Sequence, residues 1–259
     1  MIGASYWQTL TGRAQADLSA RAQADSDGGA QADGGAQADG GAQADGGARA
    51  DGGARAEIEH ADGSTTPLWS GDWLQLRPGD DSLIDRCGGP TLDVGSGPGR
   101  LTVALAERGV PALGIDITPK AVHLAQSAGA LTLQRDVFSP VPGTGRWMIV
   151  LLADGSIGIG GDPVALLSRV AELLAPRGQA LVEVQPPGQE LRRERVRFRH
   201  GKKAGDWLPW AYVGLDQLAG LAGQAGLARG EIWSSDGRWF VTLRKTPANG
   251  HRPPQQSRR

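Results

Sequence analysis

The chain has 259 residues, 39% hydrophobic and 21% charged, with 27 Lys+Arg against 28 Asp+Glu and a formal net charge of -1. That balance gives no electrostatic footprint for a nucleic-acid backbone, and no apolar run approaches the ~20 residues of a membrane span. The single cysteine, Cys87, excludes an internal disulfide; with no base beside it, it reads as structural and fits a reducing, cytoplasmic setting.

Residues 1–10 carry neither a basic leader nor a continuous apolar stretch, so they do not read as an export signal. Ser5–Leu10 reads as a helical turn, which makes residues 1–12 a short docking segment. Residues 13–57 cycle through Ala, Gln or Arg, Ala, Asp, Gly, Gly, in near-perfect hexads from Gly28. These hexads hold no large apolar residue to offset the entropy of ordering, and their glycine pairs interrupt any helix. Their period of six also lacks the inward apolar position of a calcium-binding roll. The tract therefore reads as disordered. Deleting residues 13–55 is expected to leave the melting temperature nearly unchanged; a substantial loss in calorimetry would show that the tract packs on the domain.

Residues 58–245 suit one α/β domain. Ile58–Leu68, around Asp62-Gly63, has the pattern of a small hairpin. Trp69, Trp73 and Leu76 sit at roughly helical spacing, and Leu83 and Ile84 begin a short helix. Thr91–Val94 reads as a buried strand, followed by the loop Gly95-Ser96-Gly97-Pro98-Gly99 and a helix from Arg100 that Gly109 ends. Val110–Ile115 is the second strand, ending in Asp116. Thr118-Pro119 opens a helix with Val122, Leu124 and Ala125 inward. Ala130–Leu133 is the third strand, followed by Asp136-Val137. Trp147–Ala153, continuously apolar, is a central strand buried on both faces. Asp162-Pro163 starts a helix that closes at Pro176-Arg177-Gly178, and Gln179–Val184 is the fifth strand. Arg192–Lys203 alternates basic and other residues as a strand would, turning at His200-Gly201. After a small-residue helix, Leu215–Leu227, the segments Glu231–Ser234 and Trp239–Arg244 flank Asp236-Gly237 as a final hairpin. Alternating strands and helices predict a parallel sheet with helices on both faces. Residues 246–259, rich in Pro, Gln and Arg, read as a disordered tail.

The Thr91–Arg100 stretch organises the rest. Alternate glycines let the backbone turn sharply and bare the peptide N–H groups, which, with the helix dipole behind them, are expected to face a ligand above the strand. A dinucleotide fingerprint requires G-x-G-x-x-G; here the spacing is G-x-G-x-G, with Asp93 two residues before the first glycine. This resembles motif I of the class I S-adenosylmethionine (SAM)-dependent methyltransferases, and the similarity is greatest to an actinobacterial, small-molecule-type group. The resemblance implies a three-layer Rossmann-like α/β fold, with a mostly parallel seven-stranded sheet and one antiparallel strand. It implies SAM as cofactor, with Gly95, Ser96, Gly97 and Gly99 around its methionine part and Asp93 near its amino group. Asp116 would then hold the ribose, Ile117 would pack on the adenine, and Asp136 and Val137 would meet the adenine edge.

Ligands of open α/β sheets bind beyond the carboxyl ends of the strands, where Asp93, Asp116, Asp136 and Asp154 all fall. In the glycine-rich segment after the fourth strand, Asp154 either orients the substrate or acts as general base, with Glu183 the reserve base, and Ser156 is a candidate substrate contact. Gly158–Gly161 offer N–H donors on one reading and a tight crossover on another; Asp162 either serves the site or simply caps the next helix. The resemblance suggests that the insert after the fifth strand is a lid. Its Trp207 and Trp210 either stack on an acceptor or belong to the core of a solvated basic hairpin. No Asn/Asp-Pro-Pro-Phe/Tyr motif follows the fourth strand, no cysteine pair supports a thiolate mechanism, and the scattered His, Cys and acids suggest no metal site. The preferred function is methyl transfer to a small-molecule acceptor. The alternatives are an NAD(P)-dependent oxidoreductase, disfavoured by the glycine spacing, and a non-catalytic SAM-binding protein.

Overall fold

The computed structural model describes residues 56–67, 74–200 and 203–246. The docking segment, all but the last residues of the hexad tract, Trp69, Trp73, the turn at Gly201 and the terminal tail lie outside them. Two strands open the described chain, β1 (Ala56–His60) and β2 (Thr65–Pro67), joined through Asp62-Gly63 as expected. Helix α1 (Asp80–Ile84) follows. Leu83 and Ile84 close it rather than open it, because Asp80 and Asp81 supply its first turn.

The Rossmann-like part then alternates strictly. It runs β3 (Thr91–Val94), α2 (Arg100–Glu107), β4 (Ala112–Asp116), α3 (Pro119–Ser127), β5 (Thr132–Gln134), β6 (Trp147–Leu152), a 3-10 turn (Ser156–Gly158), α4 (Pro163–Leu173) and β7 (Leu174–Val184). An insert of β8 (Arg192–His200), β9 (Lys203–Ala204) and β10 (Leu208–Tyr212) separates β7 from α5 (Leu215–Gln224). The closing hairpin is β11 (Leu227–Ser235) and β12 (Arg238–Lys245). Its two-residue turn has positive φ at both Asp236 (50°) and Gly237 (77°), the twist that matches a right-handed strand pair.

Seven strands form the main sheet in the order β11-β12-β7-β6-β3-β4-β5. β12 lies antiparallel between β7 and β11, whereas β7, β6, β3, β4 and β5 pair in parallel. Helices cover both faces: Leu166, Leu167, Val170, Leu218 and Ala222 pack on one side, and Leu83, Ile84, Leu101 and Leu105 on the other. All four residues of β3 are buried, as a central parallel strand requires. In α3 only Val122 and Ala125 are buried and Leu124 is exposed, because the inner face of so short a helix is one turn wide.

Helix α4 passes into β7 with no loop, its C-cap Leu174 already extended. The expected stop at Pro176-Arg177-Gly178 therefore lies inside the strand, where β7 shifts register against β6 between Trp147 and Ile149. Glycine is needed at 178, since a Cβ there would stand 2.5 Å from the Trp147 carbonyl oxygen. Cys87 is buried, donates to the Leu83 carbonyl at 3.3 Å, and has its thiol pushed up to about 12 by burial.

The insert is more than a hairpin. β8 pairs antiparallel with β10, β9 and the amino-proximal β1, giving a second sheet ordered β10-β8-β1-β2 with β9 off its side. Its edge meets the main domain where Ile159 bridges Trp210 and Gln185 bridges Gly214. Among the described residues, no helix is long and apolar enough to cross a membrane.

Candidate active site

Four strands adjacent in the main sheet, β6, β3, β4 and β5, carry carboxylates at or just past their carboxyl ends: Asp154, Asp93, Asp116 and Asp136. The glycine loop lies over the middle of this row. Gly95, Gly97 and Gly99 all have positive φ (69°, 54° and 93°), a conformation that other residues adopt at a cost. Above Gly97 the space is open, with nothing within 4 Å of an added Cβ, whereas a Cβ on Gly95 would lie 2.7 Å from the Ser156 hydroxyl. Gly99 is required by packing, because α3 approaches it through Ala125.

The loop amides do not face a ligand, contrary to the sequence reading. Those of Gly95 and Ser96 donate to the Ile115 carbonyl (2.9 and 3.1 Å), that of Gly99 to the Ser96 carbonyl (3.0 Å), and that of Gly97 to Asp116 Oδ2 (3.0 Å). What the loop provides is bare space bordered by acids and carbonyls. That suits a cationic or amino-bearing group better than a phosphate.

Asp93 is 3% exposed and accepts from the Thr102 hydroxyl at 2.8 Å. Burial pushes its carboxyl up to about 7; the Thr102 hydrogen bond opposes the shift, while the negative charges of Asp154 and Asp116 add to it. Asp116 also accepts from the Thr118 amide at 2.7 Å through Oδ1. Each oxygen thus holds one backbone bond and keeps a lone pair for a ligand, and these bonds leave the carboxylate aimed by the loop and the α3 entry. Thr118 stands at the helix N-cap but makes no side-chain cap. Ile117 is half exposed. Asp136 accepts from the Phe138 amide at 2.9 Å, and the buried Val137 has its carbonyl held by Arg169 Nε at 2.9 Å. Phe138, 45% exposed beside Gly160, adds a second open apolar surface at these strand ends. Sequence reading missed it, although its place directly after Asp136-Val137 was a usable signal.

These features fit the cofactor that the resemblance implies. There is a side-chain-free cradle at Gly97, a carboxylate with spare lone pairs at Asp116, and apolar surface at Ile117 and Phe138. The Ser96 hydroxyl is buried and finds no hydrogen-bond partner among the described residues, which adds an unsatisfied polar atom beside the cradle.

Asp154, at φ 52°, closes β6 inside a cluster of charges. Its oxygens accept from Arg77 Nη1 (2.6 Å), Arg238 Nη2 (3.1 Å) and Arg100 Nη2, and its amide donates to Glu183 Oε2 at 2.6 Å. Arg238 in turn grips both oxygens of Glu183 (2.9 and 2.8 Å) and reaches Asp80 Oδ1 at 2.7 Å, while Arg100 pairs with Asp80. Three arginines and three acids therefore lock α1, α2, β6, β7 and β12 together beneath the site. Both candidate bases, Asp154 and Glu183, have their oxygens engaged by guanidinium groups.

Asp162 caps α4, its Oδ1 accepting from the amides of Val164 (3.0 Å) and Ala165 (3.2 Å). The amides of Gly158 and Gly161 are bonded within their own turn, to Gly155 and Gly158 carbonyls. Gly158 is glycine because β10 crosses it: a Cβ there would lie 2.1 Å from the Ala211 carbonyl oxygen. Ser156 is buried against the glycine loop.

The structure parts the two tryptophans. Trp210 stands edge-on to Phe198 (centroids 6.1 Å apart) beside the 3-10 turn, whereas Trp207 packs under Arg197, whose Cζ is 4.7 Å from its ring. Phe198 and Arg197 are consecutive in β8, so the two rings serve opposite faces of the second sheet. Between that sheet and the carboxyl ends of β6 and β7 runs a small cleft lined by Gly155, Ile157, Glu183, Gln185, Tyr212 and Val213. Tyr212 and its neighbours His60 and Glu194 were not singled out from the sequence, in which they lie far apart. Among the described residues, no three His, Cys, Asp or Glu are grouped to hold a metal ion.

Comparison with known proteins adds family information to this geometry. A sequence model described as a methyltransferase domain matches residues 75–229, more than half of the chain. No curated protein matches. Solved structures do. A SAM-dependent methyltransferase from Bacteroides fragilis, in complex with S-adenosyl-L-homocysteine, is 20% identical with a TM-score of 0.61, over 74% of this chain and 88% of that one. The CcbJ methyltransferase from Streptomyces caelestis is 17% identical with a TM-score of 0.53, over 69% and 93%. The glycopeptide N-methyltransferase MtfA, complexed with SAM, is 15% identical with a TM-score of 0.50, over 70% and 100%. At these identities the structural likeness bears on fold alone.

Proposed function

Because this chain belongs to the methyltransferase domain family, we propose that it transfers a methyl group from SAM to a small-molecule acceptor held over the carboxyl ends of β6 and β7. The observation that carries this reading is the row of Asp154, Asp93, Asp116 and Asp136 on four adjacent strands, behind a loop that is open at Gly97. Gly95, Ser96, Gly97 and Gly99 would surround the methionine part and Asp93 would meet the amino group. Asp116, already oriented by the Gly97 and Thr118 amides, would take the ribose hydroxyls. Ile117 and Phe138 would cover the adenine, with Asp136 and Val137 at its edge.

The cofactor, when bound, supplies a methyl group on a sulfonium that is already a good leaving centre. The chain's own task is therefore orientation and exclusion of water. Asp154 and Glu183 fit that task as anchors: their bonds to Arg77, Arg100 and Arg238 fix the floor on which an acceptor would lie. Trp210, beside the Gly158 turn, and the cleft residues would form its walls, and the buried Ser156 would set the loop behind it. Trp207, on the far face of the second sheet, is assigned no contact.

Calorimetric titration with S-adenosylhomocysteine, NAD+ and NADP+ tests the reading. The expected result is micromolar binding of S-adenosylhomocysteine alone, weakened at least ten-fold in Asp116→Ala, as loss of charge-assisted hydrogen bonds of roughly 1.5–3 kcal/mol requires. Binding of a nicotinamide cofactor, or an Asp116→Ala affinity equal to wild type, would overturn it.

A further inference from the structure

The second sheet presents two unlike faces. Arg193, Arg195, Arg197 and Arg199 alternate onto one, whereas His60, Glu194, Val196, Phe198, Trp210 and Tyr212 share the other by strand register. On that second face, residues from three strands converge on one ring. Arg192 Cζ lies 4.5 Å from the centroid of Tyr212, and the His60 ring lies 6.1 Å from it at 40°. A single carboxylate oxygen, Glu194 Oε1, holds both neighbours: Arg192 Nη1 at 3.0 Å and His60 Nδ1 at 3.0 Å. His60 is tied on its other side by the Thr66 hydroxyl, 2.7 Å from Nε2. His60 and Glu194 are both nearly buried, so this is a constructed support rather than a chance surface pair.

Tyr212 ends β10 and lines the cleft that Gly155, Glu183 and Gln185 complete at the carboxyl ends of β6 and β7. Resting on the methyltransferase reading above, we propose that Tyr212 is the acceptor-contacting residue of this cleft and that Glu194 is its positioning residue. Tyr212 offers an apolar ring and one hydroxyl. Burial, with the nearby Glu194 carboxylate, raises its ionisation above the ordinary phenol value, partly opposed by Arg192, so the hydroxyl stays a donor. The acceptor class it fits is a small molecule with a lone-pair oxygen or nitrogen to accept the bond from the hydroxyl.

The test uses the full chain with methyl-radiolabelled SAM and the small-molecule fraction of a cell extract, supplied as a dilution series. Tyr212→Phe and Glu194→Gln are expected to need about five-fold more extract for half-maximal labelling, the cost of one neutral hydrogen bond or a loosened ring. Their ceiling rate and S-adenosylhomocysteine affinity should stay within about two-fold of wild type, which a general loss of structure would not allow. Tyr212→Ala should shift the curve further. Dilution curves superimposable on wild type would overturn the assignment, as would an equal loss of cofactor affinity in Tyr212→Phe and Glu194→Gln. Absence of any labelled product with the wild-type chain would instead overturn the methyltransferase reading, and this inference with it.

Discussion

Replacing Arg238 with alanine is expected to lower the melting temperature by roughly 10 °C, corresponding to about 3–5 kcal/mol. The side chain is only 11% exposed and holds three acids at once: both oxygens of Glu183, Oδ1 of Asp80 and Oδ1 of Asp154. Asp80 is fully buried. Removing the guanidinium leaves that carboxylate with Arg100 as its one cation, beside the Arg77 amide, and strands Glu183 beside the Asp154 amide, a desolvated charge without its counter-ion. Most of the loss is this uncompensated charge rather than the attraction itself. A second change, Asp80→Asn in the Arg238→Ala background, should therefore restore part of the stability, and Arg238→Lys should not match wild type because lysine lacks the planar fork. Scanning calorimetry of the three variants checks this. A melting temperature for Arg238→Ala within 2 °C of wild type would show that the network is worth no more than surface ion pairs.

Asp93→Asn is expected to stabilise the chain in a pH-dependent way. Burial holds the Asp93 carboxyl at about 7 against an ordinary 3.8. Between those values the folded chain keeps a proton that the unfolded chain releases, so this group's contribution is complete below about pH 4 and is lost as pH rises through 7. Asparagine has the same shape, can still accept from Thr102, and never ionises. The variant should thus match wild type near pH 4 and exceed it by up to about 4 kcal/mol at pH 8, taking about 1.4 kcal/mol per tenfold change in protonation. Urea unfolding at the two pH values measures the difference; a gain independent of pH would exclude the carboxyl as its source. The same substitution should weaken S-adenosylhomocysteine binding at pH 8, because the ionised acid is the proposed partner of the ligand's amino group. Stability would then be improved at the expense of the site, as strained functional groups commonly show.

Several features were legible from residues alone because their causes are local. Glycine at 95, 97 and 99 marks a backbone with positive φ, whatever surrounds it. Asp236-Gly237 marks a two-residue hairpin, and its observed turn has the required conformation. An unbroken apolar run at Trp147–Leu152 marks a strand buried at every position but Met148, and alternation of strands with helices marks a parallel sheet. Asp162-Pro163 marks a capped helix start. From these the α/β class, the antiparallel closing strand and the ladder of strand-end acids followed.

What the tertiary structure alone decided concerns partners distant in sequence. Pairing of β1 with β8 joins residues some 140 positions apart, and the alternation in either segment names no partner, since any antiparallel edge satisfies the same period. His60, Glu194 and Tyr212 became one assembly only through that pairing. Hydrogen-bond direction was equally hidden. Whether loop amides face a ligand or the Ile115 carbonyl depends on how closely β4 approaches β3, and whether Asp154 is free or engaged depends on where α1, α2 and β12 deliver three arginines. Local sequence sets which backbone conformations are allowed and which faces are apolar; the occupancy of each polar atom is set by neighbours that only the folded chain brings within 3 Å.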